Sequence, residues 1–98
     1  RITWNLNEMY RMAAAKGIKV VFGLPTPIDY DESERRLKRV RDWMKKFAAD
    51  NNLPTIDFYS AFFNAEGILQ EELLLDGAHP TREGYRLMFE AIPLEIFE

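Results

Sequence analysis

The only histidine of the chain, His79, follows Asp76 by three residues in a segment that runs Asp-Gly-Ala-His-Pro at 76–80. An imidazole acts as a general base when one ring nitrogen takes a proton from a hydroxyl and a carboxylate holds the other nitrogen. Gly77 permits a tight loop in which Asp76 reaches back to the ring, and Pro80 restricts His79 to extended backbone conformations. The spacing therefore fits His79 as a base and Asp76 as its orienting partner.

The same pair also has simpler explanations. Asp-Gly is a common turn dipeptide, and Pro-Thr at 80–81 is a common entry to a helix. A metal site built on Asp76 and His79 would need further ligands, and the spacing of the sequence suggests no third one. On the pair alone, a structural turn is the more economical interpretation.

The elements that would carry this loop alternate along the chain. Helices are predicted at 2–16, at 31–50 and from the Thr81 cap to about Ile92, strands at 18–24 and 55–58, and short helical turns at 59–64 and 69–75. The continuously apolar run at 20–22 indicates a strand buried on both faces. The order strand, helix, strand implies a right-handed parallel crossover.

Two strands are few for a parallel sheet, because such sheets are normally wider and covered on both faces. An open sheet edge pairs readily with another strand. We therefore expect further strands from a missing N-terminal portion or, as the less favoured source, from a second copy of the chain. The first residue is Arg1 and not Met, which is typical of a processed chain or of a piece of a longer one.

Composition excludes several classes of function. The chain has 98 residues, a net charge of −3 and no cysteine. The acidic balance gives no electrostatic basis for binding nucleic acid or an anionic membrane. Disulfides, thiolate metal sites and a cysteine nucleophile are excluded. No apolar run reaches the length of a membrane span and no signal peptide is visible; the compartment stays undetermined, although the lack of cysteine is compatible with a reducing one such as the cytoplasm.

The block Asp-Gly-Ala-His-Pro-Thr-Arg-Glu-Gly-Tyr at 76–85 closely resembles the last motif of the SGNH hydrolases, also called GDSL esterases and lipases. The remainder is similar to the C-terminal part of that family, with one strand ending in Leu24-Pro25 and another in Ile56-Asp57. The resemblance implies an α/β fold, a three-layer α/β/α sandwich with a parallel sheet of the flavodoxin-like kind. Residues 1–98 would form the C-terminal portion of that single domain.

The resemblance further implies a serine esterase or acylhydrolase that cleaves ester or thioester bonds of a small acyl substrate. In it His79 would be the base and Asp76 its partner, and we expect no cofactor. The Gly-Asp-Ser motif and the Gly and Asn oxyanion donors of the family are absent. The serines present, Ser33 and Ser60, lack a nucleophile-elbow pattern, so the chain alone is expected to be inactive. The alternative is a non-catalytic assembly module that dimerises through its open sheet edge.

Three further features receive structural interpretations. The basic run at 35–46 is expected to be a solvated helix face that pairs with acidic residues four positions away. Asp57 is expected to cap the turn that follows it. The loop at 25–28, directly after a strand, is expected to line the substrate pocket. At the start of the helix predicted at 31–50, the expected acid–base pairs are Asp31–Arg35 and Glu34–Lys38. Asp31 and Glu34 are also expected to form a capping pair.

Overall fold

The structure is a computed structural model that describes residues 2–97; Arg1, on which one expectation rests, lies outside them. Three helices and two strands follow one another in the predicted order. They are α1 (Ile2–Ala15), β1 (Phe22–Leu24), α2 (Asp31–Asp50), β2 (Thr55–Asp57) and α3 (Arg82–Glu90), with short 3₁₀ turns at Ser60–Phe62, Glu71–Leu73 and Leu94–Phe97. The expected α/β class is confirmed.

The helices match their predicted ranges closely, whereas the first strand, Phe22–Leu24, is shorter than the predicted range 18–24. Phe22 and Leu24 are buried and pack against Met44 and Ala48 of α2. Gly23, on the opposite face of the strand, is exposed beside the ring of Phe58. The prediction of burial on both faces is therefore wrong for the described residues, because α2 covers only one side of β1.

The strands pair in parallel, with Phe22 opposite Thr55 and Leu24 opposite Asp57. Their carboxyl ends consequently lie at one edge of the sheet, where the two following loops meet. At this edge the Asp57 carboxylate accepts hydrogen bonds from the backbone N–H of Ser60 at 3.0 Å and from its hydroxyl at 2.7 Å. Asp57 thus caps the turn after β2, as expected.

A second core cluster lies under α3 and consists of Phe62, Leu73 and Leu74. Gly84 of α3 packs directly onto it, because a Cβ at this position would lie 2.8 Å from the carbonyl oxygen of Leu73. This contact gives Gly84, the second glycine of the 76–85 block, a packing role. No helix within residues 2–97 is both long and apolar enough to cross a membrane.

Arg41 corrects the expectation of a solvated basic face, because its side chain is only 2% exposed. Its guanidinium donates to the Glu34 carboxylate at 2.9 Å, to the Pro25 carbonyl at 3.0 Å and to the Thr26 carbonyl at 3.4 Å. It also lies 3.9 Å from the centre of the Tyr59 ring. One buried cation therefore connects α2 to the loops that follow both strands.

Glu34 binds Arg41 and does not form the expected pair with Lys38. Its carboxylate accepts from Arg41 and also from the backbone N–H of Ile28 at 3.0 Å. Partial burial works against its charge, but these hydrogen bonds outweigh the burial and hold the pKa of Glu34 below its ordinary value. The capping-pair prediction is wrong, because Tyr30 is the cap residue and makes no side-chain cap hydrogen bond. The exposed pairs that do form on α2 are Lys38–Asp42 and Lys46–Asp50.

The Arg41 contacts predict a large loss of stability in Arg41→Lys. A lysine keeps the charge but cannot donate to a carboxylate and two carbonyls while stacking on a ring, so we expect a loss of about 3 kcal/mol. The matched control is Arg39→Lys on the exposed side of the same helix, expected to change stability by less than about 0.5 kcal/mol. Urea unfolding measures both, and equal losses would contradict the role assigned to Arg41.

Candidate functional site

The segment with Asp76 and His79 is a tight loop closed by backbone contacts at its base. Leu74 and Pro80 form an antiparallel bridge, and the backbone N–H of Leu75 donates to the carbonyl of His79 at 2.6 Å. Gly77 at the tip has a φ of 82°, a left-handed conformation that glycine adopts without steric cost. The loop therefore turns back on itself within five residues, bringing Asp76 and His79 together.

The loop leads straight into α3 through a side-chain cap. The Thr81 hydroxyl accepts a hydrogen bond from the backbone N–H of Gly84 at 3.1 Å. This confirms Thr81 as the helix cap and fixes the direction in which the chain leaves His79.

The structure brings Asp76 and His79 into direct contact. Nδ1 of His79 lies 2.9 Å from Oδ2 and 3.1 Å from Oδ1 of Asp76. Oδ1 also accepts from the backbone N–H groups of His79 at 2.9 Å and of Ala78 at 3.0 Å. With the proton on Nδ1, the ring donates to Asp76 and leaves Nε2 as the acceptor. This is the geometry in which an imidazole can take a proton from a hydroxyl.

These hydrogen bonds also determine the charge of the loop. The hydrogen bond from the His79 ring, followed by those from the backbone of His79 and Ala78, lowers the pKa of Asp76 to about 2. Asp76 is therefore ionised throughout the neutral range. The side chains are 72% exposed for His79 and 57% for Asp76, so hydrogen bonds hold the pair and packing does not.

Two residues before α2 fasten the loop tip from elsewhere in the sequence. The Tyr30 hydroxyl donates to the carbonyl of Asp76, and the backbone N–H of Asp29 donates to the carbonyl of Gly77 at 2.6 Å. The Tyr30 ring lies against Gly77, where a Cβ would come within 3.0 Å of Cζ. No sequence pattern signals the role of Tyr30, because its contact with Asp76 spans 46 positions.

A cleft of about 400 Å³ opens beside the contacts that Asp29 and Tyr30 make with the loop tip. It is lined in part by Ile28, Asp29, Tyr59, Phe63 and Leu69. Of the loop expected to form a pocket wall, Pro27 and Ile28 line the cleft. The carbonyls of Pro25 and Thr26 instead accept hydrogen bonds from the Arg41 guanidinium.

The two serines do not join the Asp76–His79 pair. The Ser60 hydroxyl donates to Asp57 at 2.7 Å, and Ser33 lies on α2. In the described part of the chain, neither serine hydrogen-bonds to His79, and no group of three His, Asp or Glu side chains is placed to hold a metal. The described residues therefore bring an imidazole and a carboxylate together, and neither Ser33 nor Ser60 is hydrogen-bonded to that imidazole.

Comparison with known proteins identifies a family and several solved structures that this chain resembles. The family described as GDSL-like Lipase/Acylhydrolase matches residues 1–87. A member of the lipolytic protein G-D-S-L family from Veillonella parvula is 32% identical, with a TM-score of 0.73 over 97% of this chain and 53% of that chain. A protein from Bacteroides fragilis assigned as an acylhydrolase is 27% identical, with a TM-score of 0.81 over 95% of this chain and 49% of that chain.

A more distant likeness concerns the fold alone. The esterase domain of the zebrafish ZfL2-1 retrotransposon ORF1 protein is 17% identical, with a TM-score of 0.75 over 92% of this chain and 54% of that chain. No curated protein matches the chain in sequence. The chain thus spans about half the length of the solved structures that it resembles.

The contact between Gly77 and Tyr30 predicts a difference between two glycine substitutions. Gly77→Ala and Gly67→Ala both place a Cβ on a residue with positive φ, at 82° and 79°. Only the Cβ at Gly77 meets a neighbour, since nothing lies within 4 Å of the Gly67 position. We expect a loss of about 1 kcal/mol for Gly67→Ala and about 2 kcal/mol for Gly77→Ala. Equal urea midpoints for the two variants would contradict the packing of the Tyr30 ring against Gly77.

Proposed function

The chain belongs to the GDSL-like lipase/acylhydrolase family, and on this basis we propose that it is the C-terminal part of a serine hydrolase that cleaves ester or thioester bonds. The observation that carries the proposal is the 2.9 Å contact between His79 Nδ1 and the Asp76 carboxylate. We assign His79 as the general base and Asp76 as the residue that orients it.

The proposed reaction uses the imidazole as a proton shuttle. A serine hydroxyl from outside the described residues attacks the carbonyl carbon of the ester, while Nε2 of His79 takes the hydroxyl proton. The imidazolium that forms is stabilised by the ionised Asp76, and it then gives the proton to the departing alcohol or thiol. Water repeats the sequence on the acyl-enzyme, releasing the acid and restoring the serine.

The serine and the oxyanion donors are proposed to come from an N-terminal portion that completes the domain. The relatives of known structure are about twice as long as this chain, and Ser60 is engaged with Asp57. We call this chain joined to that portion the whole protein. The expected inactivity of the chain alone follows from the proposal.

The surface around β1 supports completion by further strands. Within residues 2–97 the sheet has two strands, so each has one edge without a partner. An apolar groove of about 350 Å³ lies between α1 and β1 and includes Leu6, Tyr10 and Val21. Trp4 and Met12 of α1 are more than 60% exposed. An apolar face beside an open strand edge is the surface that an added parallel strand would cover.

The alternative, a non-catalytic module that dimerises through the open edge, is not favoured by membership in a hydrolase family. A second copy of this chain would bring another base and carboxylate to the site but no additional type of hydroxyl group beyond those of Ser33 and Ser60. The N-terminal portion is therefore the partner we propose, and a small acyl ester is the proposed substrate.

Substitution of the pair in the whole protein tests the proposed chemistry. His79→Ala removes the proton acceptor and should lower kcat for a short acyl ester by about 10⁴-fold or more. Asp76→Asn removes the charge that stabilises the imidazolium and should lower kcat by about 10²- to 10⁴-fold. Ser60→Ala is the control and should retain the parental rate. Parental rates in both variants of the pair would refute the assignment.

The low pKa of Asp76 makes a prediction for the dependence on pH. Because the pKa is about 2, protonation of Asp76 contributes nothing above about pH 4. Any loss of kcat/KM between pH 4 and 7 should then come from groups other than Asp76, and log kcat/KM should change with a slope no steeper than one over this range. A steeper slope between pH 4 and 6 would contradict the prediction that Asp76 stays ionised there.

A further inference from the structure

We propose that Tyr30 is a positioning residue for the Asp76–His79 pair. Its hydroxyl holds the main chain of Asp76, and Asp76 in turn holds the imidazole. This inference rests on the proposed function, because the orientation of the ring matters for catalysis only if His79 transfers a proton.

The exposure of the pair is the reason that it needs such a contact. Neither side chain of the pair is buried, and the hydrogen bonds within the loop, from Ala78 and His79 to Asp76, move with the loop as a unit. The bonds from Tyr30 and Asp29 connect the loop tip to a different part of the fold. They therefore control how the whole unit is oriented relative to the sheet edge.

Tyr30 is itself fixed by the start of α2. Its carbonyl accepts the backbone N–H of Glu34 at 2.8 Å, and the Glu34 side chain binds Arg41 and the backbone of Ile28. Contacts run without a break from the buried Arg41 guanidinium through Glu34 and Tyr30 to the loop that carries Asp76 and His79. The imidazole is therefore positioned relative to the core of the molecule.

The hydroxyl and the ring of Tyr30 have separable roles. The ring packs on Gly77, and phenylalanine would preserve that packing. Only the hydroxyl donates to the Asp76 carbonyl. Tyr30→Phe therefore removes the hydrogen bond at constant shape, and a displacement of about 1 Å at a reacting group can cost about 100-fold in rate.

The first test compares Tyr30→Phe with Tyr85→Phe in the whole protein. Tyr85 is exposed on α3 and serves as a control for the loss of a phenolic hydroxyl. We expect kcat to fall about 10-fold or more in Tyr30→Phe with KM within about 2-fold, because proton transfer is impaired and binding is not. Tyr85→Phe should match the parent in both constants.

The second test asks whether Tyr30 acts through Asp76. In an Asp76→Asn background the orienting carboxylate is already lost, so adding Tyr30→Phe should lower kcat by less than about 2-fold further. A merely structural contribution would instead multiply the two losses, as independent effects do. Full multiplicativity, or an unchanged kcat in the single variant, would overturn the proposal.

A spectroscopic measurement separates this inference from the proposed function. The ring ¹⁵N shifts of His79, assigned with a His79→Gln variant, report which nitrogen carries the proton. The parent and Tyr85→Phe should show the Nδ1-protonated form, and Tyr30→Phe a larger Nε2-protonated fraction. If the parent hydrolyses no ester and the shift still occurs, the proposed function fails but Tyr30 positions the pair. Identical ring shifts in all three proteins would refute the positioning role.

Discussion

A single buried cation organises the edge of the sheet at which the candidate site lies. A guanidinium removed from water must have its donors satisfied, because an unpaired buried charge costs several kcal/mol. Arg41 meets this requirement with the Glu34 carboxylate, two carbonyls of the loop after β1 and the face of Tyr59 after β2. The two loops and the first turns of α2 are consequently arranged around one charge and cannot shift independently.

The loop that carries Asp76 and His79 depends indirectly on that arrangement. Its own hydrogen bonds fold it and pair Asp76 with His79, but they do not orient it relative to the sheet. Tyr30 and Asp29, directly before α2, supply the contacts that do so. Under the proposed function the imidazole must stay accessible to substrate, so burial cannot be what holds the ring. Hydrogen bonds that reach the backbone behind it satisfy both needs.

The unpaired sheet edge and the incomplete catalytic set are related under the proposed function. Further strands alongside β1 would cover the apolar groove between α1 and β1, and in parallel sheets the strand ends and the loops that follow them meet at one edge. The contacts that complete the fold would thereby bring a nucleophile to the edge where His79 lies. Folding of the whole domain and assembly of its site would then be a single event.

The sequence by itself determined the features that depend on local spacing. The alternation of helices and strands, the Thr81 cap and the proximity of Asp76 to His79 each involve residues a few positions apart, and periodicity and turn chemistry act at that range. Only the tertiary structure decided which basic residue of α2 is buried and which residue fastens the loop. Arg41 and Tyr30 contact partners 15 or more positions away. A helical pattern assigns a side chain to a face but does not identify the loop that packs there, because that depends on how distant segments meet.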